Sequence, residues 1–146
     1  MQSKKLGDKV YLRVDKDEEV LKAVLSTCRE RGLTSATFQG IGACASVGIQ
    51  TYIPEKNDFI QTEVSGMLEM VSLIGNVTLD DDVSLFEHAH ALFAYLDEAG
   101  EHRTIAGHLH YAKVGYTAEI VIDPVDGTIG RKFDNCAGIT VWDLGE

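Results

Sequence analysis

Positive charge is scarce in this chain. Lys and Arg total 13 against 23 Asp and Glu, a formal net charge of −10 over 146 residues. Nucleic-acid affinity rests mainly on cations neutralising phosphates, so this balance opposes long-range attraction to DNA. The largest cationic groupings are pairs, Lys4-Lys5 and Arg131-Lys132, and no Arg-Gly-rich arm is present. Acidity equally opposes docking on an anionic membrane. No apolar run nears the roughly 18 residues that a spanning helix needs. The opening MQSKKLGDKVYLRVDK has no apolar stretch of the kind a secretory leader carries. The expectation is a cytoplasmic protein without a membrane partner.

Cysteine is equally sparse. Cys28, Cys44 and Cys136 are odd in number, widely spaced and form no CxxC pair. That argues against both a disulfide framework and a cysteine-rich zinc module. Small, partly buried hydrophobes are the expected role for all three. Internal repeats, linkers and low-complexity segments are also missing, so one domain spanning 1–146 is expected.

Residues 10–16, VYLRVDK, alternate as a strand does. A helix follows. Asp15 with Glu18 makes a capping-box pattern, and Asp17 competes as N-cap. Val20, Leu21, Val24, Leu25 and Cys28 form one apolar stripe, and Gly32 is the natural stop. Beyond it the chain breaks into short β-branched segments separated by turns, among them PEKND at 54–58. One good helix, a second short one at most and roughly seven to nine strands are expected. This is an α+β pattern, a mainly antiparallel sheet packed with one principal helix. Gly40-Ile41-Gly42 is half a dinucleotide fingerprint. It lacks the third glycine, and no helix-like period follows, so a turn or a bulge is the expected structure.

All five histidines lie between His88 and His110. His88/His90 and His108/His110 are each spaced i, i+2, so on strands each pair shares a face. If Asp97 to Glu101 is the loop and Leu96 lies opposite His102, then His90 faces His108 and His88 faces His110. A one-residue slip would split the pairs onto opposite faces. His102 falls in the turn and is expected to be solvated. Imidazoles clustered on a rigid strand pair suit a divalent metal; packing without metal is the alternative that spacing leaves open. Glu87 points away from the His88 face. Glu119, on an apolar segment, is either a buried carboxylate with a partner or solvated on the outer side.

The order of these motifs resembles a known family, the PPC (plants and prokaryotes conserved, DUF296) domain in its prokaryotic stand-alone form. The resemblance is carried by VYLRVDKDEEVLKAVLSTCRERGL, GIGA at 40–43, SGMLEMVSLIGNVTL at 65–79, HAHALFA at 88–94, AGHL at 106–109 and AEIVI at 118–122. It implies an α+β fold similar to acetolactate decarboxylase, a homotrimer, and a divalent metal, zinc foremost, on His88, His90 and His108. His110 has no counterpart in the family motif. Plant members carry a basic AT-hook, and prokaryotic ones a DNA-binding label by association; this chain has no AT-hook. Where plant members have Gly-Arg-Phe-Glu for partner contacts, it has Gly66-Met67-Leu68-Glu69.

Three function classes follow. The first is a metal-binding homotrimer with a binding or regulatory role, DNA being a partner by family label but disfavoured by charge. The second is a small metalloenzyme whose open three-histidine site acts on a small carbonyl-type substrate. The third is a structural trimer without metal. Glu69 and Glu119 are the carboxylates available as general base, and nothing in the sequence sets either beside the histidines.

Overall fold

Four long strands form a closed hydrogen-bonded circuit. In the computed structural model, which describes residues 1–81 and 83–145, β1 is Gln2–Leu6, β2 Lys9–Asp15, α1 Val20–Glu30, β3 Ala36–Ile53, β4 Asp58–Leu79, β5 Leu85–Leu96, β6 His102–Pro124, β7 Gly130–Asp134 and β8 Ile139–Asp143. β3 pairs with β4, β4 with β5, β5 with β6, and β6 again with β3, all antiparallel. The β1–β2 hairpin extends the sheet along the remaining edge of β6. A closed circuit leaves few strand edges open to foreign pairing. A separate hairpin, β7–β8, returns the chain over β4.

The helix forms where the apolar stripe requires it. Val20, Leu21, Val24 and Cys28 are buried, and Leu25 packs against them. They meet the inward residues of the strands, among them Leu12, Phe38, Leu73, Phe93 and Ile120. Arg31 closes the helix and Gly32 follows at φ 64°, the left-handed stop that glycine takes at little cost.

The start of the helix differs from the expected one. Glu18 does accept from the Asp15 N–H at 2.8 Å, but neither Asp15 nor Asp17 is the N-cap. Residues 16 and 17 form a turn, with Asp17 left-handed at φ 70°, and the backbone of Asp17 and Glu18 pairs with Val114 instead of entering the helix. That delays the helix to Val20, and the cap falls to Glu19. Its carboxylate accepts from the Leu21 N–H at 3.0 Å, the Lys22 N–H at 2.8 Å and, from β6, the Ala112 N–H at 3.1 Å. Glu19→Ala therefore orphans helix donors and a strand donor together. Denaturant melting should show a loss of about 2 kcal/mol; a loss below about 0.5 kcal/mol would mean that water replaces the carboxylate at no cost.

Gly40 and Gly42 lie inside β3, at a bulge between their pairings with β4, rather than in a turn. A Cβ at Gly42 would stand 2.6 Å from the Thr117 carbonyl oxygen, so β3 reaches β6 only without a side chain there. The PEKND segment links β3 to β4 through a 3-10 turn at Pro54–Lys56 and a left-handed Asn57. A connection between antiparallel neighbours is what was expected at 54–58. Cys28 and Cys44 are buried as anticipated, whereas Cys136 is exposed in the β7–β8 turn. No described helix is long and apolar enough to cross a membrane.

Candidate metal centre

The site is built at the seam where β5 meets β6. The loop between them is tied by Asp97, whose carboxylate accepts from the Ala99 and Glu101 N–H groups at 3.0 and 2.9 Å. That turn fixes the register, with Leu96 opposite His102 and His90 opposite His108. Ala89, Ala91 and Phe93 fill the core from one face of β5, so strand alternation turns His88 and His90 to the other. Gly107, at φ 150°, stands just before His108; a Cβ there would press on Ile49 at 2.9 Å.

Three imidazoles converge. Ring centroids lie 5.3 Å apart for His88–His90, 5.0 Å for His88–His108 and 5.5 Å for His90–His108. One nitrogen from each ring lies within 4.8 Å of the others. A tetrahedral zinc at about 2.0–2.1 Å from its nitrogens holds them roughly 3.4 Å apart, which small ring rotations reach. The donor set fits a divalent metal. Burial first, then the charges of neighbouring His90 and Arg131, holds His88 below its ordinary value near 6.5. Burial and the surrounding imidazoles do the same for His108. Low basicity keeps these rings neutral, the form that ligates metal.

The fourth histidine leaves the cluster. β5 and β6 stop pairing at His90–His108, so His88 does not face His110. β6 instead bulges against β3: Leu109 pairs with Ile49 but Tyr111 with Gly48, and His110 is the extra residue. It is exposed, 3.5 Å from the Gln50 amide nitrogen. His102 opens β6, exposed and apart from the three. Glu119 faces outward into solvent beside Ile41 and Val71, and Glu69 is likewise exposed. Glu87 stands half-buried on the opposite face of β5, its carboxyl pushed up by burial. None of these carboxylates joins the histidine cluster.

Four neighbours escaped the sequence reading. Asn76 is the cross-strand partner of His88. With Thr37, Ile74, Gly75 and Trp142 it lines a cavity of about 310 Å³ that His88 and His90 also border. Trp142 comes from β8, and its register partner Arg131 stacks its guanidinium 4.3 Å from the Phe86 ring centroid. Phe59, from the β3–β4 arm, approaches His108 at 6.0 Å. Only Trp142 carried a hint, as the sole tryptophan in the chain; docking of β7–β8 over β4 is a long-range event without a local pattern.

Comparison with known proteins follows this geometry. A metal-containing protein from Archaeoglobus fulgidus is 30% identical, with 94% of each chain covered and a TM-score of 0.82. A plant- and prokaryote-conserved protein from Pyrococcus horikoshii is 31% identical, covering 97% of this chain and 95% of that one, with a TM-score of 0.79. A candidate DNA-binding protein from Bacteroides thetaiotaomicron shares the fold at TM-score 0.87 and 23% identity, with 98% and 96% covered. A more distant likeness of fold, TM-score 0.52 at 10% identity, joins 86% of this chain to 54% of a Staphylococcus aureus protein described as similar to alpha-acetolactate decarboxylase. Among curated proteins, none matches the chain. The sequence profile of one family matches residues 1–126, and this chain belongs to that family, the Plants and Prokaryotes Conserved (PCC) domain.

Proposed function

We propose that the protein is a one-domain, cytoplasmic homotrimer that holds a divalent ion, zinc first among candidates, on His88, His90 and His108, in a binding or regulatory role. The observation that carries this reading is the convergence of three imidazoles from two paired strands, with no carboxylate in the group. Three protein donors leave a position open for water or ligand, as in catalytic zinc sites rather than closed structural ones. The Archaeoglobus fulgidus relative, metal-containing by description, supports the same reading.

Self-association draws support from the outer sheet face. Tyr11, Ile41, Val71 and Ile74 are 45%, 59%, 51% and 59% exposed, and the first-named three line one groove with Ile74 and Glu119. Adjacent exposed apolar side chains of this kind mark contact surfaces. DNA as a partner rests on the description of relatives, against a net charge of −10.

A second reading, a small metalloenzyme acting on a carbonyl-type substrate, is favoured by the cavity beside His88 and His90. A bound ion supplies Lewis acidity and an acidified water; Asn76 and Trp142 would orient and enclose the substrate.

Elemental analysis and sedimentation of one zinc-reloaded preparation test the main reading. About one zinc per chain and a mass three times 16.0 kDa are expected. Zinc well below one per chain sinks the metal assignment, and a monomer sinks the trimer. Duplex DNA should stay unshifted at about 50 mM salt; a shift that fades steeply with added salt would instead establish direct DNA binding.

A further inference from the structure

Three buried polar atoms lie unsatisfied under the β7–β8 hairpin, beside the histidines. They are Asn76 Oδ1, Thr78 Oγ1 and Arg131 Nε. Buried donors and acceptors are ordinarily paired, and each one left alone costs free energy. These three share one place. Asn76 and Thr78 stand two apart on β4, opposite His88 and Phe86 on β5. Arg131 stacks over that same Phe86. Phe86, His88 and His90 follow one another on one face, about 7 Å per step of two residues. The guanidinium therefore stands one strand step from the histidine cluster, with the cavity between Asn76, His88, His90 and Trp142 alongside.

Arg131 is also under-employed as a cation. Its Nη2 donates to the Thr140 carbonyl at 2.8 Å. No ion pair among the described residues involves it, although the neighbouring Lys132 pairs with Asp143 at 2.9 Å. Arg131 does not itself line the cavity; its partly buried guanidinium, over Phe86 and without a carboxylate partner, suits an oxyanion that reaches it from the cavity side. Asn76 Oδ1 accepts only, and Asn76 lines the cavity whereas Thr78 does not, so Asn76 is the one of the two that a ligand hydroxyl would meet. Trp142 and Ile74 give the cavity apolar walls, and about 310 Å³ is at the small end of the range for ligand sites.

We propose that Arg131, set beside the three histidines by the β7–β8 hairpin, makes this site a receptor for a small hydroxy- or oxo-carboxylate. One oxygen of the ligand faces the histidine-held ion and its carboxylate meets the guanidinium. This rests on the metal reading above. It adds the ligand class and places half of the recognition on residues 130–143, beyond the segment that the family profile matches.

Trp142, the only tryptophan, is a built-in reporter. The zinc-loaded full chain is titrated with lactate, and in parallel with methyl lactate, its uncharged twin, while tryptophan emission is followed and zinc content measured. Lactate should give a saturable change, and methyl lactate should bind at least about tenfold more weakly. Arg131→Gln should bring lactate down to the level of the ester with zinc content unchanged. Lys132→Gln, on the outward side of the same strand, should bind lactate as the parent does. Zinc at one per chain with no saturable response, or equal binding of lactate and ester, overturns the ligand inference alone. Failure to hold zinc overturns the metal reading and this inference with it. The acid–ester comparison needs no variant, so a hairpin disturbed by Arg131→Gln cannot mask the answer.

Discussion

His90→Ala is expected to release the metal while leaving the fold in place. His90 is the exposed member of the triad, whereas His88 and His108 are half-buried. Its imidazole makes no core contact, and Ala89 and Ala91 on either side bury the strand. Apo stability should stay within about 0.5 kcal/mol of the parent, as for surface changes away from special features. Metal affinity should fall by more than about 100-fold, since changing even outer partners of ligands costs about 10–100-fold. Elemental analysis after dialysis and denaturant melting in chelator give the two readouts. Stoichiometric metal in His90→Ala would show that the ion sits elsewhere. His88→Ala should release the metal too, but with some loss of apo stability, because its ring is half-buried.

Gly42→Ala should be among the most damaging single methyls added to the sheet. The new Cβ would stand 2.6 Å from the Thr117 carbonyl oxygen, 2.7 Å from the Ala118 Cα and 2.8 Å from its Cβ. Two of those atoms are backbone, and none belongs to a long side chain that can swing aside. β3 and β6 must part locally, close to where both carry the outer apolar face. A loss of about 3 kcal/mol is expected, at the upper end for overpacking. Gly130→Ala is the comparison, because its Cβ would meet only Asp143 Cβ at 3.8 Å. Equal stability of the two variants would show that the strand bulge absorbs the methyl.

The facing of His90 and His108 was legible on condition that Asp97–Glu101 is the loop, because each step to it is local. Strand alternation puts His88 and His90 on one face, and the polar Asp97–Glu101 turn sets the register that brings His108 opposite His90. The fate of His110 was hidden because it depends on β3. The bulge arises where Gly48 and Ile49 pair with β6, some 60 positions earlier in the chain. The helix cap was misplaced for a like reason. Asp15 and Asp17 are good caps by residue type, but pairing of residues 17 and 18 with Val114 moves the helix start to Glu19. Glu119 was undecidable from alternation alone, since Ala118 and Ile120 fix only the face opposite; the structure puts it on the solvent side. Arg131 and Trp142 reach the site through the docking of a separate hairpin, which no periodicity announces.

The seam between β5 and β6 closes the strand circuit, and the triad straddles it: His88 and His90 on one strand, His108 on the other. An ion bound there is a clasp on a ring. It cross-links the strands at the end of their shared ladder, where fraying would begin. Binding to the closed form alone adds RT ln(1 + [M]/Kd), about 4 kcal/mol when free metal exceeds Kd a thousandfold. With an ion bound, amide exchange along residues 90–96 and 102–108 would report its occupancy, and opening of the strand circuit would be tied to the supply of free ion.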